Sequence, residues 1–166
     1  RPPIWIGAFA PKAMERALDY EGWCLWFPPH VDILAPAVAD MRQRALEIGK
    51  TDFQITIGFE GWLGDDPNLR EKHVHRWVRE WSFYADNGLS PEAESKDMAE
   101  QVESMFVCVG NKQKWIDRMS EMKERVGPDW LCIRTRNPKN GSEFYPSRSE
   151  CLDVIEAFGE ILHELR

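Results

Sequence analysis

Residues 23–60 read WCLWFPPHVDILAPAVADMRQRALEIGKTDFQITIGFE, and they place two short β-type runs on either side of one long amphipathic segment. In the second run, residues 53–60, bulky apolar side chains alternate with Gln, Thr, Gly and Glu, which is the period of a β-strand. In the segment between the runs, apolar residues recur every three or four positions from Leu34 to Ile48, which is the period of a helix. A strand, a helix and a strand in this order predict a βαβ unit with parallel strands.

The alternation of strand and helix continues on both sides of this unit. Further strands are predicted at residues 3–7, 106–110 and 130–135. Helix starts are predicted at Pro11, at Asp32 as an N-cap, at Pro67, at Asn111 and at Ser147. The polar stretch 87–96 is predicted to be a loop. The final helix is predicted to bury one apolar face, made of Leu152, Ile155, Phe158, Leu162 and Leu165.

About four βα units with an extra helical insertion fit an α/β fold, either doubly wound or half of a (β/α)8 barrel. A closed barrel takes eight units and about 250 residues, whereas this chain has 166 residues and begins at Arg1 without methionine. We therefore expect residues 1–166 to be a single partial domain whose N-terminal half is absent. An open half barrel leaves strand edges and an inner face uncovered. The expected partner is the N-terminal half of the barrel or a second copy of the chain.

Composition argues against nucleic acid and membrane as partners. The chain carries 28 Asp and Glu against 21 Lys and Arg, for a formal net charge of −7. Phosphate backbones attract basic proteins rather than acidic ones. The sequence contains no run of roughly 18 to 20 apolar residues that would span a bilayer, and its opening apolar run is too short for a signal peptide. These features predict a soluble, cytoplasmic protein.

The cysteines and histidines do not have the spacing of a metal site. The four cysteines, at positions 24, 108, 132 and 151, include no C-x-x-C pair, so a zinc ribbon and a dense disulfide framework are both disfavoured. His73 and His75 stand two apart and would point to different faces of a helix, unlike the i, i+4 pair of a helical zinc site. The sequence predicts buried, reduced thiols and no metal.

Several segments together resemble the bacterial luciferase-like monooxygenases, in the order of that family's C-terminal half. The segments are PPIWIGA (2–8), EGW (21–23), GFEGWLGD (58–65), FYADNG (83–88), VGNK (109–112), WLCIR (130–134) and IEAFGEIL (155–162). The resemblance covers nearly all of this chain but only half of the family's domain. It implies a (β/α)8 enzyme that binds FMN or a deazaflavin coenzyme and oxidises or reduces a small organic substrate, often with O₂.

The loop Gly7-Ala8-Phe9-Ala10 is the candidate coenzyme site. It joins a strand to a helix N-terminus, where free N–H groups and the helix dipole suit a phosphate. The resemblance implies that this loop holds the coenzyme phosphate. Family members often have a second Gly and a Ser where this chain has Ala8 and Phe9, so the backbone must supply the donors. An ordinary tight turn explains the same residues.

Glu60, His30 and Arg134 are predicted at the carboxyl ends of three strands, the end that carries the chemistry in (β/α)8 enzymes. Glu60 and His30 are the candidate catalytic groups, because a carboxylate and an imidazole can exchange protons near neutral pH. Arg134 is a candidate for binding an anionic substrate. The alternatives are a solvated carboxylate, a helix-capping histidine and a surface ion pair. We expect Glu60→Gln to affect stability no more than a surface substitution does.

Among the eight tryptophans, Trp5, Trp26 and Trp62 are the candidates for stacking on a flat ring, because they lie at or near predicted strand ends, and Trp26 and Trp62 are the candidates for binding substrate. Trp77, Trp81 and Trp115 fall on predicted buried helix faces, where large aromatic side chains are usually core. The sequence thus favours part of a flavin-type oxidoreductase. The alternatives are a non-catalytic half barrel that self-associates as a structural or binding module, and a doubly wound domain with a sugar-binding aromatic surface.

Overall fold

The computed structural model describes residues 1–7, 9–68, 78, 98–134 and 148–165. Its strands are β1 (Trp5–Gly7), β2 (Gly22–Leu25), β3 (Gln54–Leu63), β4 (Val107–Gly110) and β5 (Trp130–Arg134). Its helices are α1 (Pro11–Ala17), α2 (Val31–Glu47), α3 (Met98–Met105), α4 (Lys112–Arg125) and α5 (Arg148–Glu164). Strands alternate with helices, and the pairings β1–β2, β2–β3 and β3–β4 are parallel. The predicted α/β class is therefore confirmed.

The chain divides into two compact units. The first comprises Arg1–Phe59 and Glu121–Ile133, and the second comprises Glu60–Ser120 and Arg134–Arg166. The boundaries fall inside β3, α4 and β5, so each of these elements contributes residues to both units.

In the first unit, β1, β2 and the first half of β3 form a parallel ladder. Residues 5–7 pair with residues 22–24, and residues 22–25 pair with residues 54–57. β5 also pairs with β3, and the Asp129 N–H donates to the Ile55 carbonyl at 2.9 Å. A strand has two edges, and β2 occupies one edge of β3 at these residues. β5 therefore occupies the other edge.

One face of this first-unit sheet packs against helices. Alternate residues of the strands point to this face, and they form a hydrophobic core with side chains of α1, α2 and the end of α4. Fully burying each large apolar side chain contributes about 1.5–3 kcal/mol. The strand residues in this core are Trp23, Leu25, Ile55, Ile57 and Phe59, with Ile6 and Leu131 packed at its margin.

Helix α2 begins two residues earlier than the sequence predicts. His30, not Asp32, is the N-cap, and its Nδ1 accepts a hydrogen bond from the Asp32 N–H. Asp32 instead lies in the first turn, where a carboxylate is favourable to the helix dipole. The helix ends as predicted at Gly49, whose φ of 80° is favourable for glycine. The next N–H, that of Lys50, donates to the Ala45 carbonyl at 2.8 Å and closes the end of the helix.

In the second unit, the second half of β3 pairs with β4, with residues 60–63 in register with residues 107–110. Asn111 caps α4 as predicted, because its Oδ1 accepts a hydrogen bond from the Lys114 N–H at 3.0 Å. The fully buried Trp115 of α4 meets Phe158 of α5 edge-on, with ring centroids 4.7 Å apart. Helix α3, which the sequence analysis did not identify, directly precedes β4.

The predicted buried face of α5 is wrong for three of its five residues, because Leu152, Ile155 and Leu162 are more than half exposed. The predicted Phe158 is buried, together with Val154 and Ile161, and these three recur at i, i+4 and i+7. Both sets have helical spacing, so periodicity alone did not distinguish the face that packs against the second unit from a second apolar stripe.

Several predictions lie outside the described residues. They are the helix from Pro67 with its tryptophans Trp77 and Trp81, the loop at 87–96, the His73 and His75 spacing, and the Ser147 cap.

Candidate functional site

The first-unit sheet has a second face, opposite the face that packs against the helices. We call it the open face because its outer strands β1 and β5 expose side chains, whereas Thr56 and Gly58 of the central strand β3 are buried on it. Because side chains alternate along a strand, the neighbours of the core residues point to this open face. Trp5 and Trp130 on it are 39% and 55% exposed. The Trp130 Nε1–H donates to the Gln54 Oε1 at 2.9 Å. The other residues of this face are Cys24, Trp26, Thr56, Gly58 and Cys132.

Trp26 lies over β3 at Gly58. A Cβ added to Gly58 would stand 2.5 Å from a ring carbon of Trp26, so only glycine admits the ring at this distance. Trp26 is half-buried. This candidate substrate-stacking residue is thus a partly accessible wall of the open face, and its position depends on Gly58.

The two cysteines of the open face are half-buried free thiols. Burial, and secondly the neighbouring Cys132, raises the pKa of the Cys24 thiol. In the second unit, burial raises the pKa of Cys108 to about 12. All four cysteines are free thiols, but Cys108 is the one that is fully buried, so the prediction of buried thiols holds for it alone.

His30 is the helix-capping histidine that the sequence analysis gave as an alternative. Its Nδ1 lies 3.3 Å from the Asp32 backbone N and 3.2 Å from the Asp32 Oδ2. While Nδ1 accepts the backbone hydrogen bond, the ring proton is on Nε2. Asp32 also forms an ion pair with Arg125, and this hydrogen bond holds the pKa of Asp32 below its usual value. The His30 side chain is 44% exposed.

The candidate coenzyme loop follows β1 in the first unit. Gly7 ends the strand, Ala10 is the N-cap of α1, and no side chain among the described residues caps that helix. Ala8 lies outside the described residues. A Cβ on Gly7 would have its nearest neighbour, the Cys24 carbonyl oxygen, at 3.6 Å, which is an ordinary contact. The described residues of this loop, Gly7, Phe9 and Ala10, are exposed, and the first residue of α1, Pro11, has no N–H to donate.

Glu60 and Arg134 come together in the second unit as an ion pair. Glu60 is fully buried, while the Arg134 side chain is 24% exposed. The expectation that Glu60→Gln is a surface-like change is therefore wrong, because the carboxylate has no access to water. A planar guanidinium next to a buried carboxylate is held in orientation by hydrogen bonding and charge. Arg134 is the member of the pair that reaches the surface.

Trp62, the other candidate for stacking, is 8% exposed. Its carbonyl oxygen accepts a hydrogen bond from the Trp115 Nε1–H at 3.3 Å. Trp62 lies two residues after Glu60 on β3, so both side chains are on the same side of that strand.

Two cavities of about 260 and 240 Å³ open in the second unit near the carboxyl ends of β3 and β4. Lys112 lines the first and ion-pairs with Glu164 at 2.7 Å and Glu160 at 3.4 Å. Lys114 lines the second and ion-pairs with Glu103 at 3.2 Å. Both lysines are paired with carboxylates. Neither Lys112 nor Lys114 therefore offers an unpaired positive charge to the cavity that it lines. The sequence analysis did not single out either lysine as a site residue.

Within the described ranges, no three or more His, Cys, Asp or Glu side chains are grouped as a metal would require. The described helices are all too short or too polar to cross a bilayer.

No protein-family model and no curated protein sequence matches the chain. Solved structures do match it. A long-chain alkane monooxygenase aligns over 98% of this chain and 41% of its own, at 17% identity and a TM-score of 0.67. A monooxygenase from Streptomyces bottropensis aligns over 98% of this chain and 48% of its own, at 16% identity and a TM-score of 0.68.

An F420-dependent secondary alcohol dehydrogenase, solved with an F420–acetone adduct, aligns over 80% of this chain and 43% of its own, at 16% identity and a TM-score of 0.59. The chain spans less than half the length of each of these three structures. The prediction of half a barrel agrees with the fraction of each solved structure that the chain covers, which is 41–48%. The chain has the fold of part of these structures, so the fold that the resemblance implies is confirmed.

Proposed function

We propose that this chain is part of a flavin-dependent or deazaflavin-dependent oxidoreductase that acts on a small organic substrate. The observation that carries the proposal is the Glu60–Arg134 ion pair, which joins the carboxyl-terminal half of β3 to the last residue of β5. In (β/α)8 enzymes the carboxyl ends of the strands carry the chemistry. The similarity in fold to monooxygenases and to an F420-dependent dehydrogenase supports the same reaction class.

In this proposal, Arg134 binds substrate or coenzyme and Glu60 positions it. The guanidinium offers a fork of N–H donors that suits a carboxylate, a phosphate or a carbonyl oxygen. Because Glu60 is fully buried and paired, it acts through Arg134 rather than by touching substrate. In the first unit, the half-buried Trp26 provides apolar surface after the end of β2, and His30 is the proton donor or acceptor. In the second unit, Trp62 is nearly buried, so its role is to pack beside Glu60 on β3.

The loop Gly7-Ala8-Phe9-Ala10 would hold the phosphate of FMN or of a deazaflavin coenzyme. The exposed Phe9 and Ala10 and the uncapped start of α1 support this role. Once bound, such a coenzyme supplies hydride or electron transfer, and dioxygen is the oxidant in a monooxygenase reaction. The chain contributes the phosphate contact and one wall of the pocket.

Ala8→Asp is expected to weaken FMN binding about tenfold or more. A carboxylate at this position would stand beside the coenzyme phosphate, and two like charges repel strongly at short range. The measurement is a titration of FMN followed by flavin fluorescence, with wild type and variant at equal ionic strength.

The matched control for Ala8→Asp is Asp19→Asn, which changes one charge after the end of α1 rather than before its start. We expect wild-type FMN affinity for the control. Equal FMN affinity in wild type and Ala8→Asp would remove this loop from the coenzyme site.

The open face of the first unit needs a cover, and we propose that the N-terminal half of a barrel or a second copy of the chain provides it. The supporting observations are the exposed Trp5 and Trp130 and the position of β1 at the end of the strand order. Sheet edges and large exposed apolar side chains favour association.

In the absence of another chain, the protein is expected to associate with itself. Light scattering across a concentration series is expected to give a mass above 19.3 kDa that falls on dilution. Trp130→Glu on the open face is expected to shift the mass toward the monomer, while Ile155→Glu on the exposed side of α5 is not. A wild-type chain that stays monomeric and unfolds cooperatively would contradict this prediction.

A non-catalytic half barrel that acts as a binding module is the second candidate, and the exposed tryptophans of the open face favour it. The two candidates differ in coenzyme binding, because the module has no need of a phosphate site.

We further propose that the protein is cytoplasmic, because four free thiols are typical of a reducing compartment.

A further inference from the structure

The exposed apolar stripe of α5 has the spacing that one helix uses to pack against another. Four of its residues recur at intervals of three, four and three positions, which is the a/d repeat of helix pairs. They are Leu152, Ile155, Gly159 and Leu162, and we call them the α5 seam. The three large side chains are 54%, 60% and 51% exposed. The seam lies beside the buried face of α5, so it is not used in packing the second unit.

Gly159, in the middle of the seam, is not explained by the packing of the described residues. Apart from proline, glycine is the least favourable residue in a helix interior. A Cβ added to Gly159 would have no described atom within 4 Å, so none of the described residues requires the side chain to be absent. A second helix laid across the seam would require it, because the distance between two packed helices depends on the side chains at their contact.

Carboxylates follow the solvent side of the seam. Asp153, Glu156 and Glu160 recur at i, i+3 and i+7 and are exposed. Lys112 pairs with Glu160 at 3.4 Å, whereas Asp153 and Glu156 form no ion pair among the described residues. A helix docked on the seam therefore meets negative charge along one of its flanks. Charges in these flanking positions decide which partner helix is accepted.

This negative flank disfavours two other occupants of the seam. Two copies of α5 packed antiparallel would bring their carboxylates together, and like charges repel. A parallel pair would need the opposite flank of the seam, where Phe158 is buried in the chain's own second unit. A membrane surface is disfavoured as well, because helices that bind anionic lipids carry lysine and arginine on their polar face.

We propose that the α5 seam binds an amphipathic helix of another protein chain, one that carries lysine or arginine beside its apolar stripe. The apolar side chains of the seam supply the contact area, and Gly159 lies where the two helices come closest. Asp153 and Glu156 attract the basic side chains of the partner. The seam shares no residue with the coenzyme loop or with the Glu60–Arg134 pair, so this proposal does not depend on the proposed function.

The test uses two synthetic helical peptides that have leucine at the same spacing and either lysine or glutamate beside the leucines. The lysine peptide is expected to bind the whole chain at least about tenfold more tightly than the glutamate peptide, and less tightly as salt is added. Fluorescence anisotropy of the labelled peptides measures both affinities.

Variants of the chain locate the binding surface. Ile155→Ala should weaken binding of the lysine peptide by about tenfold or more, and Glu156→Lys by about threefold or more. Ile33→Ala and Glu124→Lys are the matched controls, because Ile33 is 56% exposed on α2 and Glu124 is exposed on α4. Both controls should bind the lysine peptide as wild type does.

A second measurement needs no variant. When the lysine peptide is added to the wild-type chain, amide hydrogen exchange should slow in α5 and stay unchanged in α2. The proposal is overturned if the lysine peptide does not bind, if the two peptides bind equally, or if Ile155→Ala keeps wild-type affinity. Binding of wild type but not of Ile155→Ala to vesicles of anionic phospholipid would assign the seam to a membrane and overturn it as well.

Discussion

Glu60→Gln is expected to lower the free energy of unfolding by about 3 kcal/mol, because it removes the charge that compensates a largely buried guanidinium. Breaking a buried pair typically costs about 3–5 kcal/mol, and the 24% exposure of Arg134 places this pair at the lower end. For a chain of this size the midpoint of thermal unfolding should fall by about 6–12 °C. Urea or thermal unfolding followed by circular dichroism measures the change.

A double-mutant cycle separates the ion pair from other effects of the substitution. Arg134→Met alone should also destabilise the chain, because it leaves the Glu60 carboxylate buried without its partner. The double variant should be more stable than the sum of the single changes predicts. Glu156→Gln on the exposed side of α5 is the matched control and should leave stability within about 0.5 kcal/mol of wild type. Strict additivity would show that the two side chains do not interact.

Gly61→Ala is expected to destabilise the chain by about 3 kcal/mol or more. A Cβ at this position would overlap the Cys108 carbonyl oxygen of β4 and stand 2.6 Å from a ring carbon of Trp115. Neither neighbour can move freely, because the Cys108 carbonyl belongs to the backbone of the paired strand β4 and the Trp115 ring is fully buried. Overpacking of this kind typically costs 1–3 kcal/mol and sometimes more. Urea unfolding gives the value.

Gly159→Ala is the matched control for Gly61→Ala. Gly159 lies within α5, and a Cβ there would have nothing within 4 Å. Alanine in a helix interior is favoured over glycine by about 0.5–1 kcal/mol, so the control should be slightly more stable than wild type. If Gly61→Ala matched Gly159→Ala, the close approach of β3, β4 and α4 at Gly61 would be wrong.

Periodicity predicts the order of elements in this chain well, because each strand and helix carries its own pattern. The alternation at residues 53–60 predicts both the strand and the face that packs against the helices, and Ile55, Ile57 and Phe59 are in the core. The end of α2 at Gly49 is also predictable from the sequence, because the residue after the helix has a positive φ that glycine adopts most readily. The family resemblance, based on short motifs in order, predicts the fold that the solved structures share.

Tertiary contacts were not predictable in the same way. The sequence places Glu60 at a strand end, but its burial depends on Arg134, which lies on β5 at a distant position in the chain. The buried face of α5 depends on which of two apolar stripes meets its neighbours.

The central claim is that this chain supplies a phosphate contact to a flavin-type coenzyme. The most direct measurement compares the binding of FMN and riboflavin to the wild-type chain by calorimetry, because the two ligands differ only in the phosphate. FMN is expected to bind at least about tenfold more tightly than riboflavin, equivalent to about 1.4 kcal/mol. Equal affinities for FMN and riboflavin, or binding of neither, would contradict it.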